Sequence, residues 1–141
     1  MGTRSLIYIY DGEQRVKNIV VSIYQQYDGY PHGVGAELAE FLSGRAIING
    51  IPIGEEPFKA SNGMGCLAAS AVAEFKSEIG GTYLNIISGK KKFMIDYQYH
   101  VYLDGDYYKG THKLMVRVKD NSDHTIFKGD VEAFTKFCKG G

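Results

Sequence analysis

The sequence predicts an α+β domain, a twisted antiparallel sheet of about five to seven strands with two or three helices packed on one face. Three observations carry this reading. Runs of β-branched and aromatic residues recur, turn signals such as Asp11-Gly12, Gly89-Lys90, Asp104-Gly105 and Asn121-Ser122-Asp123 separate them, and three segments space apolar residues as helices do. Connections this short join antiparallel neighbours. The 141 residues form one domain, 1–141, which buries roughly two-thirds of the surface its unfolded chain exposes.

Ser5 to Tyr10 and Lys17 to Gln26 read as a hairpin over Asp11-Gly12, with Ile19, Val21 and Ile23 on the core face of the second strand. Gly35 to Ser43 is a short amphipathic helix, with Leu38, Phe41 and Leu42 inward and Gly44 closing it. Arg45 to Ala60, which holds Pro52 and Pro57, reads as a loop with one short strand at Ala46 to Ile48. The second helix, about Met64 to Ile79, sets Met64, Leu67, Ala71, Phe75 and Ile79 on a core stripe and stops at Gly80-Gly81. Strands follow at Tyr83 to Ser88, Lys92 to Leu103, Lys113 to Lys119 and Thr125 to Phe127. Gly129 to Lys139 closes the chain as a helix, Asp130 near its N-cap and Val131, Phe134, Phe137 and Cys138 inward.

Sixteen basic and 16 acidic residues cancel, so no whole-molecule field steers the chain toward nucleic acid or an anionic membrane. Cys66 and Cys138 lie in apolar helical surroundings and read as thiols of a reducing compartment. With no signal-peptide h-region and no apolar stretch of membrane length, the expected location is cytoplasmic. No Walker loop, HExxH, GxSxG or zinc-spaced set occurs, and the Asp104-Gly105-Asp106 start of a calcium loop fails at Met115, its twelfth position. No metal, cofactor or catalytic constellation is expected.

Two glycine-rich loops run into helices. Asp28 to Gly35 carries Tyr27, Tyr30 and His32, but Asp-Gly, Pro and Gly are also what a tight strand-to-helix turn demands, and Glu37 already complements that helix dipole. Asn62 to Cys66 is the better candidate for an anion, because no acid follows until Glu74, Asn62 is placed to cap, and Gly63 and Gly65 permit close backbone approach. A nucleotide or phosphate metabolite would sit there, with Tyr30 and His32 overhead. Cys66, in that same turn, is a weak candidate nucleophile, its plainer reading being a buried cysteine under the sheet.

The alternation of Lys92 to Leu103 collects Gln98, His100 and Tyr102 on one face, a candidate interface whose plainer reading is a solvated outer sheet surface. Lys90, Lys91 and Lys92 at a hairpin tip give only a weak nucleic-acid signal.

Met1-Gly2-Thr3-Arg4-Ser5, then Tyr27-Asp28-Gly29-Tyr30-Pro31 with Gly33 and Gly35, then Asn62-Gly63-Met64-Gly65-Cys66-Leu67-Ala68-Ala69 resemble a family of small uncharacterised proteins of bacteria, bacteriophages and large DNA viruses. The resemblance covers about the first half of the chain in ordered motifs. It implies no activity and carries over no catalytic residue, though it allows a viral or phage protein acting on a host or virion partner. The expected function is a binding or structural interaction protein with a protein partner or self-association. The alternatives are a small-anion binder at 62–66 and, behind it, a thiol enzyme at Cys66.

Overall fold

The structure, a computed structural model, describes residues 2–48, 59–85, 94–106 and 108–140. Eight strands are present among them: β1 (Ser5–Tyr10), β2 (Ile19–Gln25), β3 (Ala46–Ile48), β4 (Ala60–Asn62), β5 (Thr82–Leu84), β6 (Tyr97–Asp104), β7 (Lys113–Lys119) and β8 (Thr125–Asp130). Three helices join them: α1 (Ala36–Leu42), α2 (Gly63–Phe75) and α3 (Val131–Cys138). No helix among the described residues is long and apolar enough to cross a membrane.

Six strands form one sheet in the order β5-β2-β1-β6-β7-β8, and β3 pairs with β4 in a small parallel sheet. The α+β class is as the sequence predicts. The large sheet is mixed, because its central pair, β1 and β6, runs parallel while every other neighbour is antiparallel. That pairing decides where a ligand could sit.

Period-two alternation sorts the sheet. Ile7, Ile9, Ile23, Tyr99, Val101, Val116 and Val118 share one face and form a single apolar cluster with Leu38, Phe41, Leu42, Leu67, Ala71, Phe75 and Phe134 of the helices. Each aliphatic side chain buried this way contributes about 1.5–3 kcal/mol. The helices therefore all lie on that face.

Several elements differ from the periodicity, among them β8, which runs on to Asp130 where a strand ending at Phe127 and a helix from Gly129 are expected. α2 stops at Phe75, leaving Ile79 at 102 % relative exposure instead of on the core stripe. The Thr82 hydroxyl donates to the Phe75 carbonyl at 3.0 Å and Lys76 Nζ donates to the Gly80 and Thr82 carbonyls, so the chain leaves the helix early to lay β5 along β2. β6 begins at Tyr97, and β4 is a three-residue polar strand too short to show a period. The Lys90 to Lys92 tip, the end of the strand expected at Tyr83 to Ser88 and most of the Arg45 to Ala60 loop lie outside the described residues.

Candidate functional site

The first glycine loop is held as a packing joint. Gly29 N donates to the Thr3 carbonyl at 2.9 Å, and the buried Tyr99 hydroxyl donates to the Gly29 carbonyl at 2.7 Å. A Cβ on Gly29 would stand 2.8 Å from Ser5 Cβ and 2.9 Å from the Arg4 carbonyl carbon, so this position needs glycine for the loop to meet β1, while one on Gly35 would stand 3.0 Å from Cys138 Sγ and 3.2 Å from the Tyr99 ring, a tight fit against α3 and β6. At the rim, Tyr30 and His32 stack at 4.2 Å. The Tyr30 hydroxyl donates to Asp28 Oδ1 at 3.0 Å, and that bond and charge raise its pKa. They edge an open cleft of about 360 Å³ with Thr3, Asp96, Tyr97, Asp120 and Asn121.

The second loop lies at the other end of the molecule. Gly63 (φ 80°) and Met64 open α2 in a cleft of about 210 Å³ with Asp11, Gly12, Leu103, Gly105 and Tyr108. Thr3, Asp96 and Tyr97 mark the amino ends of β1 and β6, whereas Asp11 and Gly105 follow their carboxyl ends. The length of β1, roughly 15–20 Å, separates the two clefts. Tyr30 and His32 therefore do not stand over Asn62, Gly63, Gly65 and Cys66, and the expected joint pocket does not form. Two further expectations for the α2 start are corrected. The Asn62 side chain makes no cap hydrogen bond. Asp11, brought in by the fold from the β1–β2 hairpin, lines the same cleft and supplies the negative charge that the helix itself lacks. Around Gly65 a Cβ would meet nothing within 4 Å, so no close approach by the protein requires that glycine.

The cysteines divide. Cys66 is exposed rather than buried under the sheet, and among the described residues it makes no hydrogen bond to a base. Cys138 is buried, and burial pushes its thiol up to about 12.

The expected interface residues sit on the face opposite the helices but are not presented. Gln98, His100 and Tyr102 are only 5 %, 6 % and 7 % exposed. β6 is a central strand, so side chains of β1 and β7 lie over it. Tyr8 and Tyr10 stack on the His100 ring at 4.9 and 5.7 Å, and Arg117 and Lys119 stand opposite His100 and Gln98 in register. The Tyr10 hydroxyl and His100 Nδ1 are 2.6 Å apart, His100 Nε2 and Gln98 Oε1 are 3.2 Å apart, and Gln98 Nε2 donates to Asp123 Oδ1 at 2.9 Å. Burial raises the pKa of Tyr8 and of Tyr10, keeping both phenols protonated. Beside this network the Tyr102 hydroxyl is buried with no partner among the described residues.

Tyr102 also lines a larger cleft, about 510 Å³, with Gly12, Glu13 and Gln14 of the β1–β2 hairpin, Leu103, Asp104 and Gly105 at the end of β6, and Lys128 of β8. Gly12, Leu103 and Gly105 line this cleft and the one at the α2 start, which makes them two lobes of one groove. Its origin is topological. β1 and β6 run parallel side by side, but the chain leaves β1 toward β2 and leaves β6 toward β7, in opposite directions. The two hairpins part there and a crevice opens at the carboxyl ends, the position where open sheets with parallel strands bind ligands. Sequence reasoning missed the groove because no local pattern announces that β1 and β6 pair. Among the described residues no group of three or more His, Cys, Asp or Glu side chains is arranged to hold a metal ion.

No protein-family model matches the chain, and neither a curated protein nor a solved structure matches it.

Proposed function

We propose that the protein binds a small polar molecule in the groove at the carboxyl ends of β1 and β6. One observation carries the reading: the hairpins diverge at the central parallel pair and leave a polar crevice whose larger lobe, about 510 Å³, falls within the roughly 300–1,000 Å³ of ligand sites. Asp11, Glu13, Gln14, Asp104 and Lys128 supply converging polar groups. A thermal-shift screen against soluble metabolites tests it. The expected result is stabilisation that grows with the logarithm of concentration and is lost in Gln14→Trp, which fills the mouth of the crevice. Silence across the panel, or equal stabilisation of the filled variant, contradicts it.

A second reading keeps the macromolecular partner or self-association suggested by the sequence. Tyr83 and Leu84 of the edge strand β5, with 49 % and 67 % relative exposure, and Ile79 shortly before it, with 102 %, expose large apolar groups. Light scattering after size exclusion, on the wild type and on Leu84→Glu, measures it. A monomer in both variants removes self-association.

A further inference from the structure

We infer that the ligand of the groove is a neutral polyhydroxylated molecule, a sugar or polyol, rather than a phosphate or another anion; this rests on the groove being the binding site. The charges along it already have counterparts. Glu13 pairs with Arg15 at 2.9 Å, Asp11 shares its lobe with the α2 start, whose first turn holds no acid, and Asp104 shares the larger lobe with Lys128. An incoming phosphate would meet three carboxylates and a single ammonium group. A hydroxyl-rich neutral molecule meets complementary groups at every step. Carboxylates and Gln14 Oε1 accept from hydroxyls, while Lys128 and the Gln14 amide donate to them. Tyr108, 88 % exposed at the edge of the smaller lobe, offers a ring on which the apolar face of a sugar can lie.

The test is an amide NMR titration of the whole chain with glucose, maltose and myo-inositol, run beside sodium phosphate and adenosine monophosphate. The expected result is that a neutral probe shifts the amides of Gly12, Gln14 and Gly105. Asp104→Asn combined with Lys128→Met, both at exposed positions, then weakens that probe about tenfold while the remaining spectrum stays native. Phosphate or the nucleotide moving these amides while the neutral probes do not overturns the ligand class and leaves the groove as the site. If no probe moves them, the groove and the ligand class fall together.

Discussion

The Tyr99 hydroxyl donates to the Gly29 carbonyl at 2.7 Å, fastening the middle of the sheet to the first glycine loop. Tyr99 is fully buried, and burial raises its pKa, so the phenol stays a donor. Tyr99→Phe leaves the buried Gly29 carbonyl without this donor and should cost about 1–2 kcal/mol in urea unfolding, with the dependence on denaturant unchanged. Gly29→Ala should cost at least as much, because its Cβ would press on Ser5 Cβ at 2.8 Å and on the Arg4 carbonyl carbon at 2.9 Å.

His100 should carry a proton on Nε2. Gln98 Nε2 is committed to Asp123 Oδ1, so Gln98 Oε1, 3.2 Å from His100 Nε2, accepts from Nε2–H, and the Tyr10 hydroxyl stands 2.6 Å from Nδ1. Imidazole nitrogen NMR shifts report the tautomer directly. Tyr10→Phe should destabilise the fold by about 1 kcal/mol while Gln98 Oε1 continues to hold the Nε2–H tautomer.

At the start of α3 the Asp130 carboxylate accepts from Ala133 N at 2.9 Å, and that bond, with Lys113 and Lys136 nearby, holds its carboxyl below the usual range. A carboxyl with a lowered folded-state pKa contributes stability that is present above the unfolded value, near 3.9, and lost as pH falls through the folded one. Asp130→Ala should therefore unfold at a lower temperature than the wild type at neutral pH. The gap should narrow below about pH 4.

The two thiols should separate cleanly. Exposed Cys66 is modified by iodoacetamide in the native protein, whereas Cys138, 2 % exposed and with its thiol pushed up to about 12, reacts only on unfolding. Mass spectrometry of peptides after native and denatured labelling reads both.

Much of the fold was legible because it is local. Lys113–Lys119 matches its predicted bounds, and Leu38, Phe41, Leu67, Ala71, Phe75, Phe134 and Cys138 all point into the core as their spacing requires. What failed depended on distant partners. The helical stripe ran on to Ile79, but Thr82 and Lys76 end α2 at Phe75. Alternation put His100 on the correct face, yet it could not show that Tyr8 and Tyr10, from the distant first strand, would cover it. The separation of the glycine loops and the groove beside Tyr102 follow from the parallel β1–β6 pair, a contact that leaves no trace in either strand's own residues.

A crystal soaked in whichever compound most stabilises the protein tests the central claim most directly. Density for that compound between Gly12–Gln14 and Asp104–Gly105, touching Lys128 or Tyr102, is the expected result. Density in the cleft of Tyr30, His32 and Asp96, with the groove filled by solvent, would contradict it.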